Sequence, residues 1–287
     1  MIQEKKHFVA YLDVLGFGNF NEKNPQSEVI KWINFFSLQA QIAIAYTSVA
    51  RVNEGIQDEH KAKPYKLHVK EDGVQVAVPD LDRAKINSLI MFDSIVFWTP
   101  DDKEEDLKDL LYAVALFMRT QLSIGFPARG AIAHGEFSFS GGPVHSSSIV
   151  QHFILASKAQ ALARKLEGQQ EWVGCALHET VIDRCVELSL SLQELENSKR
   201  IIKYSVPFKK QIEPNGYREM YALIFAGQTE QFIPERKILD IYTVIKESFE
   251  QHGKEAGPRE IEKINNTAKF INDVFPVVKE KEGQHID

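Results

Sequence analysis

Cysteine is almost missing from this chain: Cys175 and Cys185 are the only two among 287 residues. Two thiols without zinc-site spacing exclude a disulfide framework and a zinc cluster, and both are expected to be small buried hydrophobes in a reducing compartment. No run approaches the about 18 uninterrupted apolar residues that a membrane-spanning helix requires. The opening Met1-Ile2-Gln3-Glu4-Lys5-Lys6 has no apolar signal core. Positive charge is in short supply, with 34 Lys and Arg against 40 Asp and Glu and a formal net charge of -6. That balance argues against broad, nonspecific binding to nucleic acid or to an anionic membrane. Internal repeats and low-complexity segments are absent as well. A cytoplasmic protein with neither nucleic acid nor membrane as partner is expected. What the chain does have is 44% hydrophobic residues, enough for a substantial core.

Two carboxylates interrupt the most apolar stretches. Phe8-Val9-Ala10-Tyr11-Leu12 runs into Asp13 and then into Val14-Leu15-Gly16-Phe17-Gly18, where glycines let a backbone approach a ligand closely. Leu89-Ile90-Met91-Phe92 and Ile95-Val96-Phe97-Trp98 flank Asp93-Ser94 in the same manner. An ionised Asp in such a setting is costly unless something positive pairs with it. Two of them suit a divalent cation, because magnesium takes one or two carboxylates and completes its shell with phosphates and water. The ordinary alternative for each is a cap or turn residue, and Asp93-Ser94 suits a two-residue hairpin turn.

The order of elements predicts an α+β fold. A strand over 7–13 precedes Asn24-Pro25, read as N-cap and first-turn proline of a helix with Val29, Ile33, Phe36, Ala40 and Ile44 at helical spacing. Residues 51–85 form a more polar insertion, with Val74, Val76 and Val78 alternating after Asp72-Gly73 as in a hairpin. A hairpin centred on Asp93 follows. Pro100-Asp101-Asp102 is expected to open an amphipathic helix that buries Leu107, Leu110, Leu111, Val114, Phe117, Met118 and Leu122. Next come a strand through Ala128–Gly135, a helix over 149–167 closed by Gly168, a strand Trp172–Leu177 and a short helix from Glu179. Strands at Ile201–Val206 and Tyr217–Phe225 precede helices near 234–251 and 258–279; the Lys and Glu pattern of Lys246–Glu255 reads as a solvated helix face.

Four blocks, in order across about residues 7–185, resemble the catalytic domain of the class III nucleotide cyclases, the adenylate and guanylate cyclases. Asp13-Val14-Leu15-Gly16-Phe17 is similar to the first metal motif, and Asp93 in a hairpin matches the second metal aspartate. Arg129-Gly130-Ala131-Ile132-Ala133-His134-Gly135 resembles the family's Arg-(Ile/Val)-Gly-Ile-His-x-Gly strand. Ala163-Arg164-Lys165-Leu166-Glu167 and Cys175-Ala176-Leu177-His178-Glu179-Thr180 resemble its later helix and strand. The chain departs from the family at Leu89, where a lysine contacts the purine base, and at Phe92, where a glycine precedes the second aspartate. Ala161 and Lys165 stand where an asparagine and an arginine serve the transition state. Loss of the purine set with both aspartates kept is closer to the pyrimidine cyclases of bacterial anti-phage signalling (Pycsar).

The resemblance implies a ferredoxin-like cyclase domain over 1–186, with 187–287 as a C-terminal extension packed on it. It implies an enzyme that cyclises UTP or CTP to a 3′,5′-cyclic nucleotide and pyrophosphate, serving a cyclic-nucleotide-activated effector downstream. Two Mg²⁺ or Mn²⁺ ions would be held by Asp13, the Val14 carbonyl and Asp93. Backbone groups of Val14, Leu15, Gly16, Phe17 and Gly18 would meet the β- and γ-phosphates, with Arg129 on the triphosphate and Lys165 or Arg164 on the transition state. His134 is read as structural. Because such sites are shared between subunits, a head-to-tail homodimer is implied. Two other readings stay open: a catalytically silent, nucleotide-binding regulatory module, and a polymerase-like palm, which the acidic balance and lack of a basic aromatic groove disfavour.

Overall fold

The computed structural model describes residues 5–53, 63–70, 74–144, 150–226 and 241–275. Its framework is a split β-α-β pair: β1 (Lys6–Val14), helices α1 (Phe17–Lys23) and α2 (Gln26–Asn53), the hairpin β4 (Asn87–Met91) and β5 (Ser94–Trp98), α3 (Glu104–Ser123) and β6 (Ala128–Val144). The strands lie in the order β4-β5-β1-β6, each antiparallel to its neighbour, which is the ferredoxin-like arrangement expected. The sheet continues through β8 (Cys175–Leu177), parallel to β6, and then β10 (Tyr217–Leu223) and β9 (Ile201–Pro207). β9 and β10 pair antiparallel with each other, and β10 joins β8, so strands from beyond residue 186 extend the same sheet. A separate two-stranded hairpin, β2 (Tyr65–Val69) and β3 (Gln75–Pro79), occupies the inserted region, while 54–62 and Asp72-Gly73 lie outside the described residues.

Register decides which side chains share a face. Phe97 stands on the face opposite to Val96 and packs edge-on against Phe117 of α3. Below the end of β1, Phe17, Phe20, Phe36 and Phe126 are fully or almost fully buried and meet in edge and tilted contacts. Each such ring contributes on the order of 2–3 kcal/mol of burial, so this cluster is the floor under the β1–α1 loop. The expected α2 and α3 faces are the ones buried, with Val29, Phe36, Ala40, Leu107, Leu110, Leu111, Val114, Phe117 and Met118 inside. Both cysteines are buried as well, and burial pushes the Cys185 thiol up to about 11.

Four local expectations are corrected. Residues 149–167 are not one helix: β7 (Val150–Ser157) pairs with the far half of β6, and α4 (Lys158–Gln169) begins only after Ser157 caps it by accepting from the Gln160 N–H. Gly168 lies inside α4, and Gln170 is the C-cap. Pro100-Asp101-Asp102 does not open α3; Lys103 is its N-cap, while Asp102 bonds His134 Nε2 at 3.1 Å and Arg184 Nη2 at 3.1 Å. That pairing, with the His134 ring against Phe8, gives His134 the structural role expected of it. Finally, the Lys246–Glu255 face is not wholly solvated, because Lys254, beyond α7 (Ile241–Glu250), is 2% exposed. Its ammonium lies 3.9 Å from the Phe126 ring centre and 4.3 Å from that of Phe249. α5 (Glu179–Glu187), α6 (Leu192–Asn197) and α8 (Pro258–Val274) complete the described elements, and no described helix is long and apolar enough to cross a membrane.

Candidate active site

The end of β1 is pinned from both sides. Asp13 sits opposite Ser94 of β5 and opposite Arg129 of β6. One residue on, the Val14 N–H donates to the Asp93 carbonyl at 2.9 Å, and the Leu15 N–H donates to the Pro127 carbonyl at 2.9 Å. Phe92 and Asp93 are the two turn residues between β4 and β5. Asp93 is therefore a hairpin residue, although the turn pairs it with Phe92 and Ser94 already opens β5 opposite Met91, and it is a neighbour of Asp13. Phe92, at the position the cyclase motif gives to glycine, has φ +61° and lays its ring 5.0 Å from that of Phe17. A bulky residue in the left-handed region is strained, and the ring contact is what the structure sets against that strain.

Past Asp13 the chain turns at Gly16, the N-cap of α1, with φ +74°. A side chain there is excluded twice, by that φ and because a Cβ would fall 2.7 Å from the Phe249 ring. Val14, Leu15 and Phe17 send their side chains into the interior, which leaves backbone to line the loop.

The Asp13 carboxylate has neither a hydrogen-bond donor nor an ion-pair partner among the described residues, and Asp93 has only the Ser94 hydroxyl at 3.4 Å. Burial first, then the negative charges of Glu167 and Asp93, raise the Asp13 pKa to about 6, against the smaller pull of Arg129 and Lys263. Arg129 itself is taken: its guanidinium is ion-paired with Glu167, and Nη1 donates to the Gln170 carbonyl at 3.0 Å. Two unpaired carboxylates plus a backbone loop form an oxygen-donor set that fits a hard divalent cation, with water and a phosphate-bearing ligand completing its shell. Among the described residues no cluster of three or more His, Cys, Asp or Glu forms a self-contained metal centre.

Of the other expected site residues, Arg164 and Lys165 are both exposed on α4. The Arg164 guanidinium lies 6.0 Å from the Tyr11 ring centre, alongside β1, and Tyr11 in turn bonds Ser94 Oγ at 2.7 Å. Lys165 lines a cleft of about 480 Å³ with Leu177, His178, Arg218 and Tyr221. Leu89 is partly buried opposite Val96 on β4. Two residues near the carboxylates had no assigned part in the sequence reading: Glu167, present in the α4 block, and Lys263 of α8. A signal for the second exists, since Lys263 lies in the stripe Ile264, Thr267, Ala268, Phe270, Ile271 that α8 buries.

No family model and no curated protein matches the sequence. Structural comparison finds similarity to the dimeric guanylyl cyclase domain of the RhoGC fusion protein from the aquatic fungus Blastocladiella emersonii, at 9% identity and a TM-score of 0.45 over 77% of this chain and 96% of that one. The guanylate cyclase domain of RhGC from Catenaria anguillulae in complex with GTP gives 7% identity, a TM-score of 0.43 and coverages of 77% and 96%. The adenylyl cyclase CyaB from P. aeruginosa gives 12%, 0.39, and 78% and 96%. Likenesses at these scores carry no argument about this chain, whose reading rests on its own residues.

Proposed function

We propose that this protein is a nucleotidyl cyclase that converts UTP or CTP to its 3′,5′-cyclic monophosphate and pyrophosphate. The observation that carries the reading is the convergence of Asp13 and Asp93, unpaired and adjacent, beside the backbone loop Val14–Gly18 on a ferredoxin-like sheet. In the reaction the 3′-hydroxyl oxygen bonds to the α-phosphorus, the bond from that phosphorus to the bridging oxygen breaks, and pyrophosphate leaves while the hydroxyl proton passes to solvent. Divalent ions, when bound by Asp13, Asp93 and the Val14 carbonyl, would supply Lewis-acid stabilisation of both oxygens. The Gly16, Phe17 and Gly18 N–H groups orient the β- and γ-phosphates, those of Val14 and Leu15 being held by the Asp93 and Pro127 carbonyls, and Arg164 or Lys165 stabilises the charge that develops.

Leu89 supports the choice of base. A purine edge meets no lysine there, and a site without the hydrogen-bond partner discriminates poorly in favour of that base. Met91 and Phe92 are 39% and 46% exposed beside the site. Together with the exposed Arg164 and Lys165, these apolar side chains favour a second copy docked head to tail, each copy completing the other's site. In this reading the product is a second messenger of anti-phage defence, acting on a cyclic-nucleotide-activated effector.

Incubation with each of the four ribonucleoside triphosphates and Mn²⁺, followed by product identification, tests the assignment. Cyclic UMP or cyclic CMP is expected as main product. A kcat/KM for ATP or GTP well above that for UTP and CTP overturns the pyrimidine assignment, and no cyclic product from any of the four overturns the cyclase assignment. The closed Arg129–Glu167 pair favours one second reading, a silent nucleotide-binding regulator. Its signature is a higher melting temperature with Mn²⁺ and nucleotide, without pyrophosphate release.

A further inference from the structure

α8 is fastened to the segment between α4 and β8. Thr267 Oγ1 accepts the Val173 N–H at 2.7 Å, Asn266 Nδ2 donates to the Glu171 carbonyl at 2.6 Å, and the Phe270 ring meets Trp172 edge-on at 4.8 Å. One turn before Thr267, that attachment carries Lys263 in from the C-terminal third of the chain. Lys263 is 5% exposed, yet its ammonium has no hydrogen-bond acceptor and no ion-pair partner among the described residues. A lysine in a buried stripe without a partner is costly, and an apolar residue would fill the place at no such cost. Val173, held by Thr267, packs in one buried cluster with Leu15 of the β1–α1 loop, so α8 stands beside that loop, and the positive charge of Lys263 favours ionisation of Asp13. Arg129 is closed on Glu167, whereas the Lys263 ammonium is open.

We infer that Lys263 is a phosphate-binding residue, which grips the triphosphate tail of the substrate from within the same chain that supplies Asp13 and Asp93. This deepens the cyclase reading and rests on it for the identity of the substrate, while the anion chemistry stands on the lysine's own surroundings. It transfers to α8 the contact that the sequence assigned to Arg129, whose fork is already held by Glu167 and the Gln170 carbonyl. It also gives the C-terminal extension a direct part in the site.

Calorimetric titration of the full chain with inorganic tripolyphosphate tests the inference apart from turnover. The wild type should bind. Lys263→Gln should weaken binding by about tenfold or more, the loss expected for one charge-assisted hydrogen bond, and Lys263→Arg should largely restore it. Melting curves of each variant confirm that it is folded. With nucleotide, Lys263→Gln should raise KM more than it lowers kcat. Equal tripolyphosphate affinity in folded wild type and Lys263→Gln overturns the inference, as does absence of binding by the wild type, and neither result touches the cyclase reading if pyrophosphate is still released. Binding that depends on Lys263 without turnover of any nucleotide keeps the anion site and sinks the cyclase.

Discussion

Asp13 holds a carboxyl group where ionisation is unfavourable, and the sign of its shift gives a test that needs no substrate. Its pKa is about 6 in the folded chain against 3.8 as the ordinary value, so the native state holds the proton more tightly than the unfolded one. That contribution to stability is complete below pH 3.8 and is lost as pH rises through about 6. Asp13→Asn should therefore stabilise the metal-free protein at pH 8, on the order of 1–3 kcal/mol once partial solvent screening is allowed for. The advantage should vanish at about pH 4, and Mn²⁺ should raise the melting temperature of the wild type but not of Asp13→Asn. A variant that melts several degrees lower than wild type at pH 8 without metal would show that Asp13 is satisfied by a partner instead of waiting for a cation. Gly130 adds a second constraint beside the site. A Cβ there would lie 2.8 Å from the Tyr11 carbonyl, so Gly130→Ala should push β6 from β1 and lower the thermal midpoint.

At the scale of elements, the connection between α7 and α8 does more than join two helices. Lys254 lies over the Phe126 and Phe249 rings and donates to the Gly125 carbonyl, against the floor of the β1–α1 loop. Burial depresses its pKa to about 7 from 10.5, so the native state disfavours the charged form. The full penalty is present below pH 7 and is relieved as pH rises towards 10.5, because the unfolded lysine keeps its proton over that interval. Lys254→Met should accordingly melt higher than wild type at pH 7, with the gain shrinking by pH 10. An equal loss at both values would mean that the bond to Gly125 and the ring contacts outweigh desolvation. This lysine was illegible because its neighbours form a charged pattern, and only the return of the chain over Phe126 buries it. β7 is hidden in the sequence for a related reason. Val150–Ser157 is a short apolar run that fits either period, and its partner is the far end of an unusually long β6. The Ser157-x-x-Gln160 capping pattern was the available sign that the helix begins later. By contrast, β1, the β4–β5 hairpin and the amphipathic faces of α2 and α3 were legible, since unbroken apolar runs and helical periodicity reflect burial directly. Asp13 and Asp93 were legible as residues that burial could not explain, whereas Lys263 and the closed Arg129–Glu167 pair depend on packing between distant segments.

For the whole molecule, the cyclase reading divides the site between two copies, and the register fixes what belongs to one. Asp13 and Arg129 face each other across β1 and β6, and α8 of the same chain brings in Lys263 through Thr267 and Val173, so these three form one half. Lys165, exposed on α4 at a separate cleft, belongs to the other half if sites are shared. Mixing Asp13→Ala chains with Lys165→Ala chains then produces heterodimers with one doubly damaged site and one intact site. With equal amounts and free exchange, half of the dimers are mixed, so recovery of about a quarter of wild-type pyrophosphate release is expected from chains that are each inactive alone. Asp13→Ala mixed with Lys263→Gln differs, because an Asp13-bearing half would always carry the damaged lysine. That mixture should show no gain over the residual activity of Lys263→Gln. Recovery in neither mixture at any ratio would assign the whole reaction to a single copy. Recovery in both would place Lys263 across the interface, leaving the shared-site reading intact and removing α8 from the half that holds Asp13.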